Sequence, residues 1–584
     1  MTSQQPAGLA TPLDIASGSI AREGLAPEIR PKRPVRLAYG AALGLLLFFI
    51  HQAGAISAIL NPPPGYEPAW GVRNLDLPQY LTWITAARGS ILLPDYHAPW
   101  LTEPALFQPL FIAASRIPLP PLAAYYVLNA LLYMSGGVAL LYAATAFCPG
   151  LEWFALLASA CAVPLGLLVA GLAKIFHSPV LFLWGLIGMV DYSYNSADGL
   201  FRGGQAASLT LSAGTALMLL FMGLLAGYVK SATASEASRP LAVSLVILSF
   251  TAAFLHPFEI FVMVAASALP LKQCGRLRVW IAMSFAGLLG MAPYLASSAR
   301  SEWMRDLAGV MPDVMYPFWI PENFGIVFIL LTYFLLIRFR MEDAGDRILQ
   351  SWFLATIALA LIPKFTMSSH LFNGFAYCVG FLLVKRLAGD RKLLPVIARH
   401  RRGVTWAVAA GAAFTALSLF VLYQQIWKDG RRAEPEWMLS AVRPVSERPL
   451  LEWLRTHAKP HELVLSPAEL APWIATVPLT SFASHDVFGL TFGDQLKLAN
   501  AFFRGEDVEQ ELLENYGVGI VVAPSTSPAI ARLPMSAYQA SVGAWRIYEF
   551  PDARMKPYPG FSHLKPELTP PLRVRILEWL RFLK

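Results

Sequence analysis

LAYGAALGLLLFFIHQAGAISAIL, residues 37–60, contains no Asp, Glu, Lys or Arg. At 1.5 Å of rise per residue, such a run crosses the roughly 30 Å hydrocarbon core of a bilayer. It is too long for the apolar part of a signal peptide and lacks a small-residue cleavage site, so it reads as a retained membrane span. Upstream, residues 1–36 are polar and Pro-rich and end in Arg30, Lys32, Arg33 and Arg36. They read as a disordered cytoplasmic arm. Downstream comes NLDLPQYLTWITAARGS, residues 74–90, with one acid, Asp76, ahead of a helix-like apolar spacing.

The rest of the chain is of the same kind. Of 584 residues, 56% are hydrophobic and 14% charged, against about a quarter charged in soluble domains. The 35 Phe, 16 Trp and 20 Tyr suit membrane interfaces. The fold class is therefore an α-helical polytopic membrane protein. Eleven spans are expected near 37–60, 120–147, 151–175, 205–229, 241–255, 257–271, 279–298, 324–338, 348–363, 370–386 and 403–426, with a half-helix at 179–190. The fifth and sixth are short and meet at His256-Pro257. They are either two spans or one kinked, re-entrant unit.

Basic residues set the orientation. Loops holding Lys230 and Arg239, Lys272 to Arg278, Arg338 to Arg347 and Lys385 to Arg402 fall on one side under this count, with the N-terminal arm. That side is assigned to the cytoplasm, in the cytoplasmic (inner) membrane. Loop one, 61–119, and everything after 426 are then extracytoplasmic. The net charge of +8 is spread over short loops, so nucleic acid is not expected as a partner. The four cysteines, Cys148, Cys161, Cys274 and Cys378, lie in or beside apolar runs without metal-ligand spacing.

The domains follow: arm 1–36, transmembrane domain 37–426, extracytoplasmic α/β domain 427–560, and tail 561–584. ELVLS (462–466), GIVVA (519–523) and WRIYEF (545–550) read as strands. RPLLEWLRTHA (448–458) and GDQLKLANAFFRG (493–505) read as helices. The closing LRVRILEWLRFLK is amphipathic, and either lies on the membrane or packs on its own domain.

Soluble catalytic motifs are absent: no Gly-rich phosphate loop, Cys-x-x-Cys, His-Glu-x-x-His or nucleophile elbow occurs. What remains is a set of polar residues at one level of the membrane. Loop one holds Asp76, Tyr80, Arg88, Asp95, His97 and Glu103. Later segments at the same level add Arg202, His256, Glu259, Arg300, Asp306, Lys364 and His370. A carboxylate there can take a proton from a hydroxyl, and cations can hold a phosphate. Each residue also has a structural reading. Asp76 and Glu103 precede prolines and can cap helices. Tyr80 can anchor at the interface, His256 can satisfy backbone at a helix break, and Arg202 and Lys364 can snorkel. Asp95, His97, Arg300 and Asp306 read as solvated loop residues.

Several short stretches together resemble the GT-C superfamily of polytopic glycosyltransferases. They are NLDLPQYL with Asp76 and Tyr80, LTEPALFQPLF (101–111), LHPFEIF (255–261), WLRTHAKPHELVLS (453–466), SHDVFGLTFGDQLKLANAFFRG (484–505) and YGVGIVVAP (516–524). The likeness covers about residues 37–550. It implies inverting transfer of a sugar from a polyprenyl-phosphate donor to a glycan, glycolipid or protein acceptor, with Asp76 as general base. Tyr80, Glu103, Arg202, His256, Glu259, Lys364 and His370 become expected substrate contacts. Two departures are visible. Leu75 stands where several members carry a second acid beside the first, which argues against a metal-binding pair and leaves a single-base mechanism intact; a divalent metal ion is the one cofactor the resemblance allows, and no organic cofactor is expected. KFTMSSHLF (364–372) offers Lys364 where an arginine would be expected to hold phosphate. A lipid or glycan transporter predicts inverted repeats, and none is seen in the sequence. A non-catalytic membrane scaffold displaying an outer binding domain predicts that Asp76 is dispensable.

Overall fold

The computed structural model describes residues 33–60, 64–68, 76–94, 96, 104, 106–160, 209–231, 235–300, 343–360, 371–389, 442–483 and 492–553, with a few single positions between 399 and 410. Among these residues, eleven helices precede the C-terminal region: α1 (Arg33–Leu60), α2 (Asp76–Ala86), α3 (Pro109–Ser115), α4 (Pro121–Phe147), α5 (Glu152–Ala160), α6 (Leu209–Lys230), α7 (Ser235–Leu255), α8 (Phe258–Gln273), α9 (Leu277–Arg300), α10 (Ala344–Ala360) and α11 (Phe375–Gly389). Among the described residues, α4, α6, α7 and α9 contain stretches long and apolar enough to cross a membrane. The expected segments 179–190, 324–338 and nearly all of 403–426 lie outside the described residues, as does the closing amphipathic stretch.

Contacts between named residues fix how the helices run. Gly40 and Gly44 of α1 sit on Val138 and Tyr133 of α4, so these two are antiparallel. The approach needs glycine, since a Cβ at Gly44 would lie 2.0 Å from the Tyr133 carbonyl oxygen. α4 and α6 are parallel: Ser212 donates to Asn129 at 3.1 Å near one end, and Lys230 donates to the Ala146 carbonyl at 2.7 Å near the other.

The break at His256-Pro257 separates two antiparallel helices. Pro257, which has no N–H to donate, precedes the first turn of α8. Trp280 of α9 donates to the Val264 carbonyl at 2.8 Å, while Ile260 lies against Gly287. α8 and α9 are therefore antiparallel. α7 and α9 are parallel, with Tyr294 donating to the Phe254 carbonyl at 3.0 Å. The chain thus runs along the bundle three times here, in alternating directions. α7 also starts earlier than the apolar run, at Ser235, and carries Pro240 inside it.

These directions sort the charges. Loop one joins the end where α1 stops and α4 starts, and Phe107 packs on Phe254 and Tyr294 there. Lys230, Lys272, Arg276, Arg278, Arg347 and Lys385 lie at the opposite end. There Lys385 meets Asp343 at 2.8 Å and Asp346 at 3.2 Å. Arg347 donates to Gln273, and Arg276 covers the Tyr228 ring at 4.2 Å.

The C-terminal region builds a five-stranded sheet in the order β4 (Thr480–Ser481), β3 (Leu463–Leu465), β5 (Ile520–Pro524), β7 (Trp545–Glu549), β6 (Tyr538–Val542). The β3 pairings are parallel, and the β5–β7 and β6–β7 pairings are antiparallel. Alternation sends Val464, Ile520, Val522 and Ile547 to one face, under α12 (Arg448–His457) and α13 (Ala471–Ile474). Leu463, Leu465, Val521 and Tyr548 go to the other face, with Phe502 of α14 (Phe492–Phe503). Both faces of β3 are covered, which is why LVL is continuously apolar. The three runs read as strands are β3, β5 and β7. The short β4 and the half-exposed β6 have no such signal.

Candidate functional site

Loop one folds as a platform at its end of the helices. Helix α2 begins at Asp76, two residues before Pro78, where proline suits a first turn because its missing N–H would have no helical partner. Tyr80, Trp83, Ile84 and Ala87 form the buried stripe of this helix. Tyr80 stacks on Phe111 of α3 at 4.6 Å and lies near Tyr125 of α4 at 6.2 Å. It is 8% exposed, so it is a core aromatic rather than an interfacial anchor. Trp83 donates its indole N–H to the Pro94 carbonyl at 2.9 Å and closes the turn behind the helix. Leu209 and Ala213 of α6 join the same cluster.

The second set of groups lies at the turn between α7 and α8. Glu259 is in the first turn of α8 and is fully buried. His256 Nδ1 stands 2.8 and 2.7 Å from its two carboxylate oxygens. The amide of Asn373, just ahead of α11, donates to the same carboxylate. The carboxylate fits only because residue 214 of α6 is glycine: a Cβ there would lie 2.1 Å from Glu259 Oε1. A buried carboxylate of this kind is tolerable only when it is paired and hydrogen-bonded. With Nδ1 committed to Glu259, His256 acts on any ligand through Nε2. Gly214 is one residue from Ala213 of the Tyr80 cluster, so α6 links the two groups.

Of the expected site residues, the structure brings His256 and Glu259 into direct contact and places Tyr80 on the neighbouring platform. Asp76 is placed by its backbone, as the first residue of α2. Glu103, Arg202, Lys364 and His370, and the loop residues Asp95, His97 and Asp306, lie outside the described residues. Among the described residues, no three His, Cys, Asp or Glu side chains gather as a metal site would need.

Sequence reading missed Asn373 and Gly214. An asparagine inside an apolar stretch was the available signal for the first; for the second there was none. It also missed that the C-terminal region sits on loop one. β1 (Tyr66–Pro68) pairs antiparallel with β2 (Val442–Pro444). Glu67 accepts from Arg448, with Nε at 2.8 Å. Thr82 donates to the Ala475 carbonyl at 2.5 Å, and the Ser481 N–H donates to the Tyr96 carbonyl at 2.8 Å. Tyr96 and His461 rings meet at 5.1 Å. Burial holds the His461 imidazole below its ordinary 6.5 and pushes the Tyr96 phenol up. Loop one and the C-terminal sheet therefore share one end of the molecule.

A helical membrane-type bundle with loop one and a small mixed sheet packed together at one end is the class of architecture these observations define. Solved structures similar to this chain include ArnT from Cupriavidus metallidurans bound to undecaprenyl phosphate. It has 12% identity and a TM-score of 0.46, over 88% of this chain and 98% of that one. The apo state of the same protein gives the same values. The archaeal oligosaccharyltransferase AglB from Archaeoglobus fulgidus, in complex with an inhibitory peptide and a dolichol-phosphate, has 14% identity and a TM-score of 0.39, over 82% of this chain and 69% of that one. Likeness at these scores assigns no residue and no activity to this chain. No family model and no curated protein matches the sequence.

Proposed function

We propose that this chain is an inverting GT-C-type glycosyltransferase that moves a sugar from a polyprenyl-phosphate donor to an acceptor hydroxyl. The observation that carries the reading is the meeting, at one end of the bundle, of the Asp76 helix and the buried His256–Glu259–Asn373 set. The sequence resemblance supplies the reaction class. Asp76 takes the acceptor proton as the hydroxyl oxygen attacks the anomeric carbon. The bond from that carbon to the phosphate oxygen breaks, and the electron pair leaves with the lipid phosphate. A single displacement inverts the anomeric centre. Arg202, Lys364 and His256 stabilise the departing phosphate, and Glu259 holds His256 for that task. Glu103 and His370 are assigned to the substrate pocket, and Tyr80 supports that pocket from the core of the loop-one platform. Leu75 leaves no second acid beside Asp76 to make a metal-binding pair, and the single-base mechanism needs none.

The basic end of the bundle faces the cytoplasm in this reading. Loop one and the C-terminal domain then face the extracytoplasmic side, where the acceptor is a glycan, glycolipid or protein. The lipid donor enters sideways from the bilayer. The test is transfer of labelled sugar from a panel of polyprenyl-phosphate sugars, with wild type and Asp76→Asn folded and present at equal levels. Wild type transfers with at least one donor, and Asp76→Asn loses a factor of about 10² to 10⁴. Equal transfer by both proteins would remove Asp76 from the chemistry and make it a helix cap.

A further inference from the structure

The C-terminal domain grips loop one on both sides of α2 and on α2 itself. Before the helix, β2 pairs with β1, the Val445 N–H donates to the Gly65 carbonyl at 2.9 Å, and Arg448 holds Glu67. Within the helix, Thr82 donates to Ala475. After it, Tyr96 receives the Ser481 N–H and packs on His461. These contacts come from four places in the domain: its entry strand, the start of α12, the turn ahead of β3, and the α13–β4 segment. A helix of 11 residues has little stability of its own. Its place is set by what it packs against: the aromatic cluster of the bundle on one stripe and the domain at Thr82.

We propose that Arg448, His461 and the 475–481 segment are positioning residues that fix the helix beginning with Asp76. The C-terminal domain is then part of the reaction machinery, in addition to any part it takes in meeting the acceptor. This rests on the reading of Asp76 as the base. The chemistry gives the reason: a base displaced by about 1 Å loses on the order of a hundredfold in rate. The Glu67–Arg448 pair is the point to attack. The Glu67 side chain is 11% exposed and the Arg448 side chain 64%. Reversing Arg448 takes the cation away from the nearly buried Glu67 carboxylate and puts a like charge beside it, so the contact is lost and residue 448 turns to solvent.

The experiment uses the full-length protein and two readouts: sugar transfer, and amide hydrogen exchange across residues 76–86. Arg448→Glu is expected to speed exchange in α2 and to lower kcat on the order of tenfold, with KM for the donor changed less than kcat. The swapped pair, Glu67→Arg with Arg448→Glu, restores both. Arg455→Ala, on the same helix but paired with exposed Glu452, is expected to leave both unchanged. Thr82→Val, which leaves all charges in place, is expected to speed exchange in α2 alone. Unchanged exchange in α2 of Arg448→Glu overturns the proposal, and so does a swapped pair that fails to recover. If wild type transfers no sugar from any donor, the glycosyltransferase reading falls. Exchange then decides by itself whether the domain positions α2.

Discussion

The two ends of the helix bundle both pair acids with bases, and they do so differently. At the loop-one end, Glu259 has no exposed surface, and its partners are one histidine and one asparagine. At the opposite end, Lys385 meets Asp343, whose side chain is 55% exposed, and Asp346, which is nearly buried. Burial there acts against the Asp343 charge, yet the Lys385 hydrogen bond, the Asp346 backbone N–H and the charges of Lys385 and Lys230 together hold its carboxyl below the usual 3.8. The lesson is about what each end tolerates. A buried pair is unforgiving because a partner left alone cannot be solvated. A half-exposed pair is replaced by water at little loss. The first arrangement holds a fixed geometry; the second leaves a carboxylate that water can solvate.

The comparison breaks most visibly at Glu259. Glu259→Ala leaves His256 and Asn373 without their acceptor in an apolar bundle and is expected to destabilise by about 3–5 kcal/mol; the readout is thermal unfolding in detergent. Gly214→Ala pushes on the same carboxylate from α6 without removing it. The expected loss is about 1–3 kcal/mol, as for overpacking in a filled core, and it should be largely relieved in Gly214→Ala with Glu259→Asp. Asp343→Asn, the matching change at the other end, removes the charge of the carboxylate that is 55% exposed; it is expected to cost no more than about 1 kcal/mol and to leave sugar transfer intact. If Asp343→Asn proves as damaging as Glu259→Ala, the contrast between the ends fails.

The smallest expected effect is one of pH, and it separates the ends in a single titration. His461 is held below 6.5 in the folded protein, so the unfolded or undocked chain binds the extra proton. Its contribution is present above about 6.5 and is lost as pH falls below that value. Asp343 is held below 3.8, so its contribution is present above 3.8 and is lost only as pH falls through the lower folded value. Lowering the pH from 7 to 5 should loosen the loop-one contact, seen as lower protection factors against amide exchange around Tyr96, while protection factors near Asp343 stay constant. His461→Gln should remove that change.

Legibility in the sequence followed the same divide between local and distant. The helices α1, α4, α6, α7, α8 and α9 were readable because a long apolar run has one economical conformation in lipid. The strands β3, β5 and β7 were readable because β-branched runs between turns are a local signal. Asp76 was marked by standing two residues before Pro78 at the start of an apolar spacing, and His256 and Glu259 by lying at a proline break. Asn373 reaches Glu259 from 114 positions away, and Arg448 reaches Glu67 from 381. Nothing in either neighbourhood announces the other.

By itself, then, the sequence determined what short-range chemistry can determine: apolar runs that must satisfy their own backbone in lipid, basic residues gathered in alternate loops, and a helix opening on Asp76. Tertiary structure alone decided that α7 and α8 are two helices running in opposite directions. It also decided that Gly214 makes room for the Glu259 carboxylate, and that the C-terminal domain closes on loop one. Those outcomes depend on distances between residues from tens to hundreds of positions apart, set by the packing of whole helices and strands, and no local pattern of residue types encodes them.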